Sequence, residues 1–108
     1  MAGDEDDDEA VRVLSIQEDF GDTYVEVEAW SVPETKRYPD GMKYSMQYGT
    51  IDGDTILRYD NFPDHPDVDI HHRHQSDDPA DVERVDYPGL ESLYKRFKRE
   101  VRDHGEPW

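Results

Sequence analysis

Alternation is the clearest pattern along the chain. Across 23–32, Tyr24, Glu26, Glu28 and Trp30 alternate with Val25, Val27 and Ala29. Period-two spacing of β-branched and aromatic residues predicts a strand, and Pro33 closes it. Residues 11–16 predict a shorter strand with apolar side chains on both faces, ended by the turn Phe20-Gly21-Asp22. A third strand is predicted over 42–49, with Tyr44, Met46 and Tyr48 on one face. Asp52-Gly53 is a hairpin signal, because glycine takes the positive φ of a tight turn, and 55–59 forms the returning strand. Further on, 70–74 reads as a short strand or ordered loop, and 82–87 as a last strand. The period then changes. After Pro88-Gly89, Leu90, Leu93, Tyr94, Phe97 and Val101 fall on one stripe of a helix, which Gly105 and Pro107 stop. The expected architecture is α+β: an antiparallel sheet of four to six strands with one C-terminal helix packed on a face.

Composition adds a constraint on size. A chain of 108 residues is one domain, and at that length roughly two-thirds of the unfolded surface is buried, so the core is thin. Tyr24, Trp30, Tyr44 and Tyr48 are expected in it rather than as base-stacking platforms. The stretch 1–10, MAGDEDDDEA, reads as a disordered acidic arm, leaving 11–108 as the folded domain. The absence of cysteine excludes disulfides, thiol catalysis and cysteine-based metal sites. No apolar run reaches the ~20 residues of a membrane span, and no signal-peptide core follows Met1. The expected compartment is the cytoplasm, with no membrane partner.

The formal net charge is -16, from 28 acidic against 12 basic residues. The carboxylates are dispersed and lysine is scarce, which favours adaptation to a salt-rich cytoplasm over a polyanionic tail or nucleic-acid mimic. Global acidity then says nothing against an anionic substrate, and local basic patches become informative. One such patch is the outer face of the helix, where Lys95, Lys98, Arg99 and Arg102, with Arg96, gather. It suits phosphate contact or an acidic partner. It also suits a solvated face that complements the helix dipole.

Candidate chemistry concentrates in 59–74, YDNFPDHPDVDIHHRH, which holds four of the five histidines. If its end is extended, His72 and His74 share one face while His71 and Arg73 share the other. Three readings are open. In the first, two imidazoles act as general base and general acid in metal-free RNA cleavage, Arg73 faces the phosphate, and Asp60 and Asn61 orient them. In the second, His71, His72 and His74 with Asp60 or Asp64 hold zinc or manganese. In the third, the histidines only satisfy backbone groups or stack on Tyr59.

The run Tyr59-Asp60-Asn61, His65-Pro66, His71-His72-Arg73-His74 resembles the TumE family, the toxin half of toxin–antitoxin operons. The stretch Lys43-Tyr44-Ser45-Met46-Gln47-Tyr48-Gly49 and the helix opening Gly89-Leu90-Glu91-Ser92-Leu93 are also similar to that family. The resemblance spans 11–101. It implies a toxin neutralised by a cognate antitoxin, usually a helix-turn-helix DNA-binding protein encoded nearby. It carries over motif positions but no catalytic roles. The reading that joins it to the residues is a small metal-independent ribonuclease, with no cofactor. Its catalytic candidates are His72, His74, Arg73, Asp60, Asn61, His71 and His65, and Lys95, Lys98, Arg99 and Arg102 would hold RNA phosphates. The alternatives are a non-enzymatic module that binds an antitoxin or regulator, and a metal-dependent hydrolase. Exposed strand edges further suggest a homodimer formed by sheet pairing.

Overall fold

The computed structural model describes residues 10–61, 71–78 and 81–108. Expectations for the acidic arm, for His65 and for the loop around it lie outside the described residues, apart from Ala10. Six strands follow one another as an antiparallel meander: β1 (Val11–Asp19), β2 (Thr23–Ser31), β3 (Met42–Thr50), β4 (Thr55–Asp60), β5 (His72–His74) and β6 (Val82–Arg84). One helix, α1 (Leu90–Asp103), follows and packs on one face of the sheet. The α+β architecture expected from the sequence is the one the chain adopts.

Two strand ends differ from expectation by three residues, and the ends of β2, β3 and β4 by one. β1 runs on to Asp19, because Gln17, Glu18 and Asp19 pair with Glu26, Val25 and Tyr24 although their side chains are exposed. The ladder of β6 ends at Arg84, since its partner β5 has only three residues. Val85 still donates its amide to the His71 carbonyl, at 3.0 Å.

The core lies between the helix and one face of β2, β3 and β4. Val25, Val27 and Ala29, then Tyr44, Met46 and Tyr48, then Leu57 and Tyr59 are buried there, and α1 covers them with Leu93, Phe97 and Val101. Phe97 meets the Tyr59 ring edge-on, with centroids 6.1 Å apart. Tyr44 and Tyr48 are core residues, as expected. Tyr24 and Trp30 are not. They share strand parity with Glu26 and Glu28, so they fall on the opposite face, where Trp30 is half-buried under the Lys43 ammonium 5.8 Å from its centroid. The period-two pattern contained this result: a face shared with two glutamates is not the core face.

The C-terminal tail closes one end of the core. Trp108 packs on Phe20, Tyr94 and Phe97. Glu106 accepts hydrogen bonds from Thr23 and, at 2.5 Å, from the Tyr48 hydroxyl. Burial and that carboxylate push the Tyr48 hydroxyl up to about 12.

Gly49 marks the tightest backbone approach. A Cβ there would stand 2.6 Å from the Asp54 carbonyl oxygen, beside the β3–β4 irregularity at Tyr48/Gly49. Gly49→Ala is therefore expected to cost about 1–3 kcal/mol through forced backbone displacement, read as a lower urea midpoint with unchanged slope.

Candidate functional site

The register of β4 and β5 builds the site. Arg58, Tyr59 and Asp60 stand opposite His74, Arg73 and His72 respectively. Alternation then sorts the side chains. Tyr59 and Arg73 point toward α1, while Arg58, Asp60, His72 and His74 share the other face. On that face Asp60 is the centre. Its Oδ2 lies 2.7 Å from Arg58 Nε, its Oδ1 3.3 Å from His72 Nδ1, and its Oδ2 3.7 Å from His74 Nε2. The two imidazoles are 6.2 Å apart, at 67° to each other. Asp60 is 3% exposed and His72 1%, while the side chain of His74 is 13% exposed. A buried carboxylate is costly unless its charge is compensated, and Arg58 with the two imidazole edges supplies that compensation.

The other candidates have different surroundings. Arg73 donates from Nε to the Tyr59 hydroxyl at 3.1 Å, from Nη1 to Glu83 at 2.9 Å, and from Nη2 to Glu100 of α1. Its guanidinium pins the helix to the sheet and faces away from His72 and His74. Asn61 accepts from the Tyr44 amide at 3.0 Å and donates to the Met42 carbonyl at 2.6 Å. Both ends of its amide stitch the start of β3. His71 lies between Tyr44, whose hydroxyl is 2.8 Å from Nδ1, and Asp40, 2.9 Å from Nε2. Burial holds the Tyr44 hydroxyl in its protonated form, well above the ordinary range, with Tyr87, Asp60 and Asp40 adding to the shift. A neutral His71 whose Nε2–H donates to Asp40 accepts from the Tyr44 hydroxyl at Nδ1. The His71 ring stacks on Tyr87 at 4.5 Å.

The helix cations lie on the far side of the sheet from Asp60, with the ~10 Å thickness of the helix itself between. Lys95 pairs with Glu91 at 3.1 Å, Lys98 stands 5.0 Å over the Trp108 ring, and Arg102 Nε donates to the Trp108 carbonyl at 2.5 Å. Arg99 is exposed. The structure thus brings together Asp60, His72 and His74. Arg73, Asn61, His71 and the helix cations stand elsewhere.

Sequence reasoning missed Arg58. The signal was present: two positions before Asp60 in a strand, it had to share the face of Asp60. Asp60, His72 and His74 each offer a ligand atom, and these atoms lie within 4.8 Å of one another. Two imidazoles and one carboxylate at that spacing suit proton transfer to and from a bound ester, or a divalent metal.

Over residues 3–104 the chain matches the family model described as Toxin TumE. No curated protein and no solved structure matches it. Among the described residues, no helix is long and apolar enough to cross a membrane.

The Arg73–Glu100 contact generates a test of its own. Burial raises the Glu100 carboxyl, but hydrogen bonds from Arg73 and Tyr59 outweigh it and hold the group below its ordinary range. The Tyr59 hydroxyl is pushed up to about 12 by burial and by Glu100. A carboxylate depressed on folding contributes stability above its unfolded pKa of about 4.3, and that contribution is lost as pH falls through the folded value. Glu100→Gln is expected to cost about 2 kcal/mol at pH 7 and to flatten the acid limb of stability against pH, read by denaturant melts at stepped pH.

Proposed function

Because the chain belongs to the TumE toxin family, which implies a cognate antitoxin, we propose that it is a toxin acting on RNA as a small metal-independent ribonuclease. The observation that carries this reading is one buried carboxylate flanked by two imidazoles, Asp60 with His72 and His74. One imidazole takes the proton of a ribose 2′-OH, and the 2′-oxygen attacks phosphorus. The other gives its proton to the leaving 5′-oxygen. The products are a 2′,3′-cyclic phosphate and a 5′-OH. Asp60 holds His72 through Nδ1 at 3.3 Å and faces His74 Nε2 at 3.7 Å, which leaves the other ring nitrogen of each imidazole for the reaction.

The phosphate contact falls to Arg58 rather than to Arg73 or the helix cations, because Arg58 alone of these shares the face of Asp60. His74 is the imidazole RNA meets first. His72 lies deeper, so productive binding includes a local opening of this surface. The burial of His72 and Asp60 favours a second reading, in which the network is structural and toxicity comes from binding a target. We read the dispersed acidity as adaptation to salt, so the assays belong in concentrated KCl.

Expression of wild type in a salt-tolerant host should arrest growth and fragment RNA. His72→Ala/His74→Ala should abolish both, and purified His74→Ala should cleave ~10²–10⁴-fold more slowly with an unchanged circular dichroism spectrum. Chelator should leave wild-type cleavage intact. Arrest with intact RNA would favour the binding module.

The β1 edge supports a homodimer by sheet pairing, since Val11 and Val13 are exposed on it. Size-exclusion with light scattering at high salt should return twice the chain mass, and a clean monomer mass removes the idea.

A further inference from the structure

We infer that Asp60, His72 and His74 form a binding site for one divalent transition-metal ion, zinc by its donor set, and that filling it switches off the proton chemistry of the same imidazoles. The inference rests on the proposed function for its consequence, but not for the site.

Convergence is the first argument. An ion held ~2.1 Å from each of its N and O ligands sets neighbouring donors ~3.0–3.4 Å apart. His72 Nδ1 and Asp60 Oδ1 are already 3.3 Å apart, and His74 Nε2 and Asp60 Oδ2 3.7 Å. The three donor atoms all fall within 4.8 Å, so small side-chain rotations complete the set. Support is the second. The ligands sit on two paired strands, with Asp60 opposite His72, and two of the three are buried. Donor chemistry is the third. Two imidazoles and one carboxylate select transition metals over magnesium or calcium, which take oxygen ligands.

Arg58 is the built-in competitor. Its guanidinium lies on the same Asp60 oxygen that faces His74, and two like charges do not share one carboxylate readily. With a side chain one-third exposed, Arg58 has a route to water when an ion arrives. The switching follows from proton bookkeeping. An imidazole that coordinates through Nδ1 keeps its one proton on Nε2, and one that coordinates through Nε2 keeps it on Nδ1. With the ion bound, the remaining nitrogen of each ring is an N–H donor, and neither accepts the 2′-OH proton.

The test titrates chelator-stripped full chain with Zn²⁺ in concentrated KCl by calorimetry. One ion per chain should bind. Asp60→Asn and His74→Ala should weaken it by at least the ~10–100-fold that loss of even an outer-shell partner costs, and His104→Ala, outside the cluster, should not. Arg58→Gln should bind more tightly, a gain that misfolding does not mimic. Binding that is absent, or that His74→Ala leaves unchanged, overturns the site. RNA cleavage should fall in step with zinc occupancy and return with chelator, and cleavage that persists at saturating zinc overturns the switch. A chain that binds zinc through these residues and cleaves no RNA overturns the proposed function and leaves the site standing.

Discussion

Among the described residues a single helix covers a six-stranded sheet, and the rest of that structure follows from the shortage of cover. One 14-residue helix buries one face of three strands at most. The apolar side chains of β2, β3 and β4 therefore stand on one parity, and every other side chain of those strands is released to the opposite face. Leu93, Phe97 and Val101 supply the apolar side of the contact. Polar clamps fix its position: Glu100 on Tyr59 and Arg73, and Glu106 on Thr23 and Tyr48. These clamps are charge-assisted hydrogen bonds, stronger than neutral ones. They hold α1 to the sheet in a chain too short to rely on apolar area alone.

The freed face carries the cluster on which the proposed chemistry rests. A six-residue β4 and a three-residue β5 meet in antiparallel register, and two residues from each converge. The carboxylate of Asp60 is buried on the face away from α1, and its charge is balanced from the side by Arg58. A buried ion pair is weak support for stability, because desolvation offsets most of the Coulomb gain.

The scarce cations of this acidic chain are largely engaged within the fold. Arg73 and Arg96 serve Glu100, Lys98 covers Trp108, Arg102 holds the tail carbonyl, and Arg12 meets Glu28. Under a net charge of -16, each carboxylate near the core needs a partner, because like charges self-repel. On the helix face, Arg96, Lys98 and Arg102 have partners within the fold, while Lys95 pairs with Glu91 at the surface and Arg99 is exposed.

The sequence by itself determined the elements and the family. Alternation over β2, β3 and β4, the helical stripe from Leu90 to Val101 and the Asp52-Gly53 turn are local patterns, and local patterns fix local structure. The motif order from Tyr59 to His74 was enough for the TumE resemblance, which the match over 3–104 establishes. The pairing of His72 with His74 on one face was legible too, because two positions in one strand share a side. Tertiary structure alone decided which strand faces them. The register that sets Asp60 opposite His72 depends on the chain path between β4 and β5, and no local pattern encodes it. It also decided that Arg73 turns to Glu100, that Asn61 stitches β3 and that His71 joins Tyr44, Tyr87 and Asp40. Each of those partners is 16 or more residues away along the chain. Side chains choose such partners by proximity in space, which spacing in sequence does not report.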